Sequence, residues 1–253
     1  MTGILLSGCN GKMGKAVTRS VADTEGCEIT AGIDIFTEAL SGYPVFSSPS
    51  VVPEEITAKT DVIIDFSNPA ALSGLLEYAV RNNIPAVIST TGLNDAQINL
   101  IKAAAEKIPV FFSANMSLGV NLVCELAKKA ANVLGDTFDI EIIEMHHNQK
   151  IDAPSGTALM IADSIKEELD SNVKYEYDRH SKREKRTKNE IGIHAVRGGT
   201  ITGEHQVIFA GLDEIITISH SARSKELFAT GAITAAKFIC GKPAGLYKMS
   251  DML

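Results

Sequence analysis

The chain has 253 residues, of which 45% are hydrophobic and 22% charged; 24 basic against 31 acidic groups leave a net charge of −7. That is enough for one large or two modest domains with a real core. The acidic balance argues against a general nucleic-acid binder, and no apolar run reaches the roughly 18 residues of a membrane span. In chain order, Ile4–Ser7 reads as a short apolar strand. Met13, Ala16, Val17 and Val21 then recur at helical spacing. Strands follow at Glu28–Ile33 and Asp61–Phe66, and a helix starts at Pro69 with Leu72, Leu75, Leu76, Ala79 and Val80 inward. Pro85–Ser89 is a strand; Asn94 caps a helix carrying Ile98, Ile101 and Ala105; Pro109–Ser113 is the next strand. Apolar strands alternating with amphipathic helices predict a parallel sheet covered on both faces.

The second half changes character. Gly119–Leu134 reads as a helix stopped by Gly135, Phe138–Met145 as a strand, and Ala158–Leu169 as a helix burying Leu159, Ile161, Ala162, Ile165 and Leu169. Strand-like segments near Ile191–Val196, Gln206–Ala210 and Ile215–Ser219 predict an α+β layer on an antiparallel or mixed sheet. The last 25 or so residues, rich in Ala and Gly, are expected to return to helix.

The segment Gly8-Cys9-Asn10-Gly11-Lys12-Met13-Gly14 follows a strand and opens a helix. Glycines there let the backbone approach a pyrophosphate, and the helix N-terminus offers N–H donors and a positive dipole end. Asp34, 20 residues beyond Gly14, ends the second strand, where an acid accepts hydrogen bonds from ribose hydroxyls. The spacing G-x-x-G-x-x-G is less common than G-x-G-x-x-G, but its context predicts a dinucleotide site. Ile35 and Phe36 follow Asp34 with no cation beside it, so NADH is the preferred cofactor and NADPH a possible one, with Lys12 able to supply the missing charge. Ser89-Thr90-Thr91-Gly92 and Ser113-Ala114-Asn115-Met116 lie just past strands, where open α/β sheets bind ligands; they are expected on the nicotinamide ribose and carboxamide, or are ordinary loops.

The richest segment runs from Glu144 to Leu159. His146, His147 and Lys150 offer proton donors of different acidity within five residues, and Pro154-Ser155-Gly156-Thr157 makes a second helix N-terminus able to cradle an anion. A cap and a surface histidine pair are the plainer readings; their adjacency favours a functional site.

The run HHNQKIDAPSGTAL resembles the signature of the 4-hydroxy-tetrahydrodipicolinate (dihydrodipicolinate) reductase family: two His, two variable residues, Lys, then D-A-P-S-G-T-A. GCNGKMG, DFSNP, TTG, ANMSLGVN, IGIHAVRGG, GEH, HSARS and GLYKM are similar to other blocks of that family, in order along nearly the whole chain. Departures are Ser89, where the family often has Gly, and Lys248, where Asp is common. The resemblance implies reduction of a cyclic imine dicarboxylate by NAD(P)H with loss of water, in lysine and diaminopimelate synthesis. It implies His146 as proton donor/acceptor and Lys150 as proton donor. It also implies His147, Gly156 and Thr157 as substrate ligands, with Ser155 and Arg223 as further carboxylate contacts. It implies a Rossmann-type parallel-sheet domain, residues 1–117 plus 227–253, and an inserted α+β domain, residues 118–226, that binds substrate and assembles a homotetramer.

Two other readings have specific residues behind them. His146, His147, His194, His205 and His220 could hold a metal in a hydrolase, but no H-E-x-x-H spacing or third carboxylate ligand is evident, so no metal is expected. Arg179–Lys188 carries six Lys or Arg residues and could touch nucleic acid in a dinucleotide-sensing regulator; flanking acids favour a solvated loop. Cys9, Cys27, Cys124 and Cys240 form no C-x-x-C pair and read as reduced, mostly buried thiols. With a strand at the N-terminus in place of a charged apolar leader, the expected setting is cytoplasmic.

Overall fold

A computed structural model describes residues 1–39, 42–169 and 172–252. Leu40, Ser41, Asp170, Ser171 and Leu253 lie outside the described residues, so their expected domain membership, and the helical C-terminus expected at Leu253, are not addressed there. The elements are β1 (Thr2–Ser7), α1 (Lys12–Ala22), β2 (Cys27–Ile33), β3 (Val45–Phe46), α2 (Glu54–Thr57), β4 (Val62–Asp65), α3 (Leu72–Arg81), β5 (Ala86–Ile88), α4 (Asp95–Ala105) and β6 (Pro109–Phe112). Then come α5 (Leu118–Leu134), β7 (Asp139–His146), α6 (Gly156–Lys166), β8 (Lys174–Glu176), β9 (Glu190–Arg197), β10 (Gly203–Ala210), β11 (Ile215–Ala222), α7 (Glu226–Ile239) and β12 (Gly245–Tyr247). Contacts divide the chain into two compact units, residues 1–117 with 225–253, and residues 118–224.

The first unit is a seven-stranded sheet in the order β12-β6-β5-β4-β1-β2-β3, parallel throughout. Its central strands are apolar on both faces: Ile4, Leu5, Leu6, Ile63, Ile64 and Ile88 are fully buried. Helices therefore cover both sides, as expected for strands without a polar face. Asn94 caps α4 in a capping box with Gln97. Pro69 opens a 3-10 turn capped by Asn68, and α3 itself begins at Leu72.

The second unit is a mixed five-stranded sheet in the order β11-β10-β7-β9-β8. β11, β10 and β7 are antiparallel; β9 joins β7, and β8 joins β9, in parallel. Ile140, Ile142, Ile191, Ile193, Val207 and Phe209 pack against Val123, Ala127 and Ala131 of α5 and Ala158, Ile161 and Ile165 of α6. The other face carries Ile143, Met145, Ile208, Ala210 and Ile215, half-buried or exposed. The fold class expected from the alternation of elements is the one observed.

Further local expectations differ. Only residues 226–239 of the C-terminal stretch are α-helix: Gly241, at φ +79, and Pro243 stop it, and β12 then pairs with β6. β3 and β8 went unread because strands of two and three residues carry no usable period. Arg179–Lys188 is partly bound rather than simply solvated. Arg179 pairs with Glu190 at 2.6 Å and Lys182 pairs with Glu176. Arg186 meets Asp139 at 3.0 Å, Glu141 at 3.1 Å and the carbonyls of Ile140, Thr187 and Glu190. Acidic side chains thus already take up part of the charge that a phosphate backbone would need.

Candidate active site

In the first unit, β1 stops at Ser7 and the chain turns on Gly8, at φ +78, a conformation that L side chains rarely adopt. A Cβ on Gly8 would lie 2.6 Å from the Phe66 carbonyl oxygen. One on Gly14 would drive into the Gly8 and Cys9 carbonyls. Gly11 caps α1 without a side-chain acceptor, which leaves the first-turn N–H groups of the helix to other partners. Lys12 begins α1 and is exposed; Met13 is half-buried.

Asp34 follows β2. Its carboxylate accepts the Asn10 N–H at 3.0 Å and the Phe36 N–H at 3.1 Å, while the Asn10 amide donates to the carbonyls of Phe36 and Glu38. The glycine turn and the loop after β2 are thereby tied together. They wall a cleft of about 490 Å³ lined by Gly8, Asn10, Gly11, Asp34, Phe36 and Ser67, among others. A bare-backbone cradle, helix N–H donors and a fixed acid fit a dinucleotide's pyrophosphate and ribose.

Other expected cofactor residues contribute less than their side chains suggested. Cys9 is fully buried and its Sγ lies against Gly32, so only its backbone is on offer; the same holds for Met116, 2% exposed. The Thr90 hydroxyl is committed to Asp65 at 2.6 Å. Asp65, fully buried at the end of β4, also accepts the Ser67 N–H and hydroxyl, and so joins two strand ends. Ser113 bonds the Asn115 backbone, and Asn115 Oδ1 accepts the Ser117 N–H. Thr91 and Ala114 are exposed, and Ser89 is buried with no partner for its hydroxyl.

In the second unit, strand register gathers the other cluster. His146 ends β7 opposite Arg197 at the end of β9. Met145 pairs with Glu204 on β10, and the adjacent Gly203 pairs with Ala222 on β11, one residue before exposed Arg223. Glu144, fully buried, is the hub. Its Oε2 meets His146 Nδ1 at 2.6 Å and Arg197 Nη1 at 2.8 Å; its Oε1 accepts Arg197 Nη2 at 2.7 Å and the Ser155 N–H at 2.9 Å. Burial alone would raise the Glu144 carboxyl, but Arg197, His146 and the Ser155 N–H outweigh it and hold it below its ordinary value. His205, 4% exposed, packs edge-on against His146 with ring centroids 5.3 Å apart. Burial, with His146 nearby, pushes His205 down to about 4, so it is neutral at pH 7.

Lys150, in the loop after β7, pairs with Asp152 at 2.8 Å, which holds the Asp152 carboxyl down. His147 is half-buried just past the strand end. Gly156 and Thr157 form the first turn of α6, at the positive end of its dipole. Ser155 Oγ accepts the Ala158 N–H, sits 3.0 Å from His205 Nε2 and is 2% exposed; it caps the helix and braces the cluster.

Glu144, Arg197 and Gly203 have no role in the reading of the sequence, and His205 has one only as a candidate metal ligand in the alternative reading. The available signal was Glu144 two residues before His146, which puts both on one face of a strand. Among the described residues, no group of three or more His, Cys, Asp or Glu is arranged to hold a metal, and no helix is long and apolar enough to cross a membrane.

Residues 2–116 match the family described as dihydrodipicolinate reductase, N-terminus, and residues 119–253 match that described as dihydrodipicolinate reductase, C-terminus. The chain is 52% identical over 253 residues to the 4-hydroxy-tetrahydrodipicolinate reductase of Caldanaerobacter subterraneus subsp. tengcongensis, covering 100% of this chain and 98% of that one. It is 49% identical over 249 residues to the enzyme of that name from Staphylococcus epidermidis, covering 98% and 99%. Among solved structures, a dipicolinate-bound dihydrodipicolinate reductase from Paenisporosarcina sp. TG-14 matches all of both chains with a TM-score of 0.82 at 28% identity. Full-length relatives at about half identity, and two matches that leave few residues uncovered, establish that the chain belongs to the dihydrodipicolinate reductase family.

Proposed function

We propose that the protein reduces 4-hydroxy-tetrahydrodipicolinate to tetrahydrodipicolinate with loss of water, with NADH as its preferred cofactor and with His146 and Lys150 handling the protons. A nicotinamide dinucleotide cofactor and oxidoreductase chemistry come with the family; the preference and the residue roles are this proposal's own. The observation that carries the cofactor preference is the cleft beside Gly8–Gly14: Asp34 faces it, Ile35 and Phe36 are exposed beside it, and its described lining holds no Lys or Arg. A 2′-phosphate would meet a carboxylate without a compensating cation there, whereas ribose hydroxyls find an acceptor.

When bound, the reduced nicotinamide supplies hydride to the ring carbon that loses its hydroxyl. That hydroxyl leaves as water only if it gains a proton. Lys150 is assigned as the donor, released from Asp152 to reach it, and His146 as the group that exchanges a proton through Nε2. The N-terminus of α6 at Gly156 and Thr157 suits one substrate carboxylate, and His147 and Arg223 add polar contacts at the same end of the sheet. The half-exposed apolar face of the second sheet, with Ile143, Met145, Ile208 and Ile215, is assigned to contacts between copies in a homotetramer.

The test is oxidation of NADH and NADPH, followed by absorbance, with substrate made freshly by the synthase reaction that precedes this one. The expected result is turnover with both and a higher kcat/KM with NADH. Preference for NADPH would refute the reading of Asp34, and absence of turnover with either would refute the assigned reaction. Light scattering on the eluting protein would show the tetramer or remove it.

A further inference from the structure

We propose that Glu144 is a positioning residue: clamped by Arg197, it holds the His146 ring with its proton on Nδ1 and leaves Nε2, beside the bare backbone of Gly203, as the one nitrogen open to exchange. The inference rests on His146 being the proton-exchanging group of the proposed reaction.

Four hydrogen bonds fill the Glu144 carboxylate, two on each oxygen: Arg197 Nη2 and the Ser155 N–H on Oε1, Arg197 Nη1 and His146 Nδ1 on Oε2. Arg197 and a backbone N–H are donors in every protonation state. A proton on Glu144 would therefore face a donor on whichever oxygen carried it. The carboxylate stays an acceptor, and the only group left to donate along the 2.6 Å contact is His146 Nδ1–H. Free neutral imidazole has no such compulsion.

Arg197 is itself held by backbone, with Nη1 donating to the Val196 carbonyl and Nη2 to the Asp152 carbonyl, each at 2.7 Å, while its Nε is buried without a partner among the described residues. Its positive charge also offsets the Glu144 carboxylate. The groups facing His146 are Glu144 on its own strand, Arg197 on β9 and neutral His205 on β10. Lys150 lies in the following loop, and His220 lies beyond His205 on β11.

At Nε2 the constraint is space. A Cβ added to Gly203 would sit 3.1 Å from Nε2, nearer than to any other atom of the ring. Gly203 does not lie in the left-handed region, so its lack of a side chain serves the neighbour and not the backbone.

The experiment is an imidazole nitrogen spectrum of the full protein labelled with 15N-histidine, recorded where histidines are neutral, with His146 identified by its loss in His146→Gln. The expected wild-type form is Nδ1–H. In Glu144→Gln the two tautomers should mix and kcat should fall roughly 100-fold with little change in KM. Arg197→Lys should give a smaller change of the same kind. Gly203→Ala should keep Nδ1–H but lower kcat. An Nε2–H ring in the wild type overturns the positioning role outright, and so does a Glu144→Gln enzyme with unchanged tautomer and kcat. The wild-type spectrum needs no substitution at Glu144, so a misfolded variant does not shelter the idea. Full activity in His146→Gln would instead remove the catalytic assignment on which the inference rests, whatever the spectrum shows.

Discussion

The two units build their sites from different materials. The cleft of the first unit is mostly main chain: a glycine turn, helix N–H groups and one acid pinned by two backbone donors. The cluster of the second is mostly side chain: Glu144, His146, Arg197, Ser155 and His205 bonded to one another, four of the five 9% exposed or less. Backbone recognition needs room and suits a group shared by many enzymes. Side-chain networks set charge and tautomer, and suit one reaction.

Substitutions can break this contrast. The largest expected effect is at Lys150: Lys150→Ala should lower kcat by about 100-fold or more while NADH binding, read by fluorescence titration, persists. Loss of NADH binding in that variant would mean that the two sites are not separable. Gly8→Ala should do the reverse. A side chain at φ +78 costs about 1–2 kcal/mol before the clash with Phe66 is counted, so the melting temperature should drop by several degrees and NADH affinity with it.

A pH effect is expected from the second unit. His205 has its folded pKa depressed to about 4 from 6.5, so the unfolded chain takes up this proton first. Stability should be complete above pH 6.5 and decline as pH falls from there to about 4, by up to roughly 3 kcal/mol. His205→Gln should flatten that limb in thermal melts. Glu144, also depressed, adds its loss only below the ordinary carboxylate range, so that lower limb should survive the substitution. The smallest effect is at Ser89, whose buried hydroxyl has no partner: Ser89→Ala should change stability by no more than about 0.5 kcal/mol in chemical denaturation.

The same contrast decides what the sequence could reveal. The glycine turn is legible because its physics lies in one continuous stretch, Gly8 to Gly14, followed by Asp34 at a fixed distance. The parallel sheet is legible because Ile4–Leu6 and Ile63–Ile64 are apolar on both faces. The Glu144 network is not, because its bonds join residues 53 apart to Arg197 and, through Ser155, 50 apart to His205. Only the register of β7 with β9 and β10 brings them together. Ser155 shows the limit from the other side: its place at a helix start was readable, but not that burial would turn it inward.

Cys9, within the glycine turn, is fully buried, and burial together with Asp34 pushes its thiol up to about 11. At neutral pH the reactive thiolate is a small minority form. Alkylation at this position therefore waits on opening of the turn, and its rate is a clock for that motion. A nucleotide seated across Gly8–Gly14 should slow the clock, which makes an unmodified cysteine of the protein its own occupancy gauge.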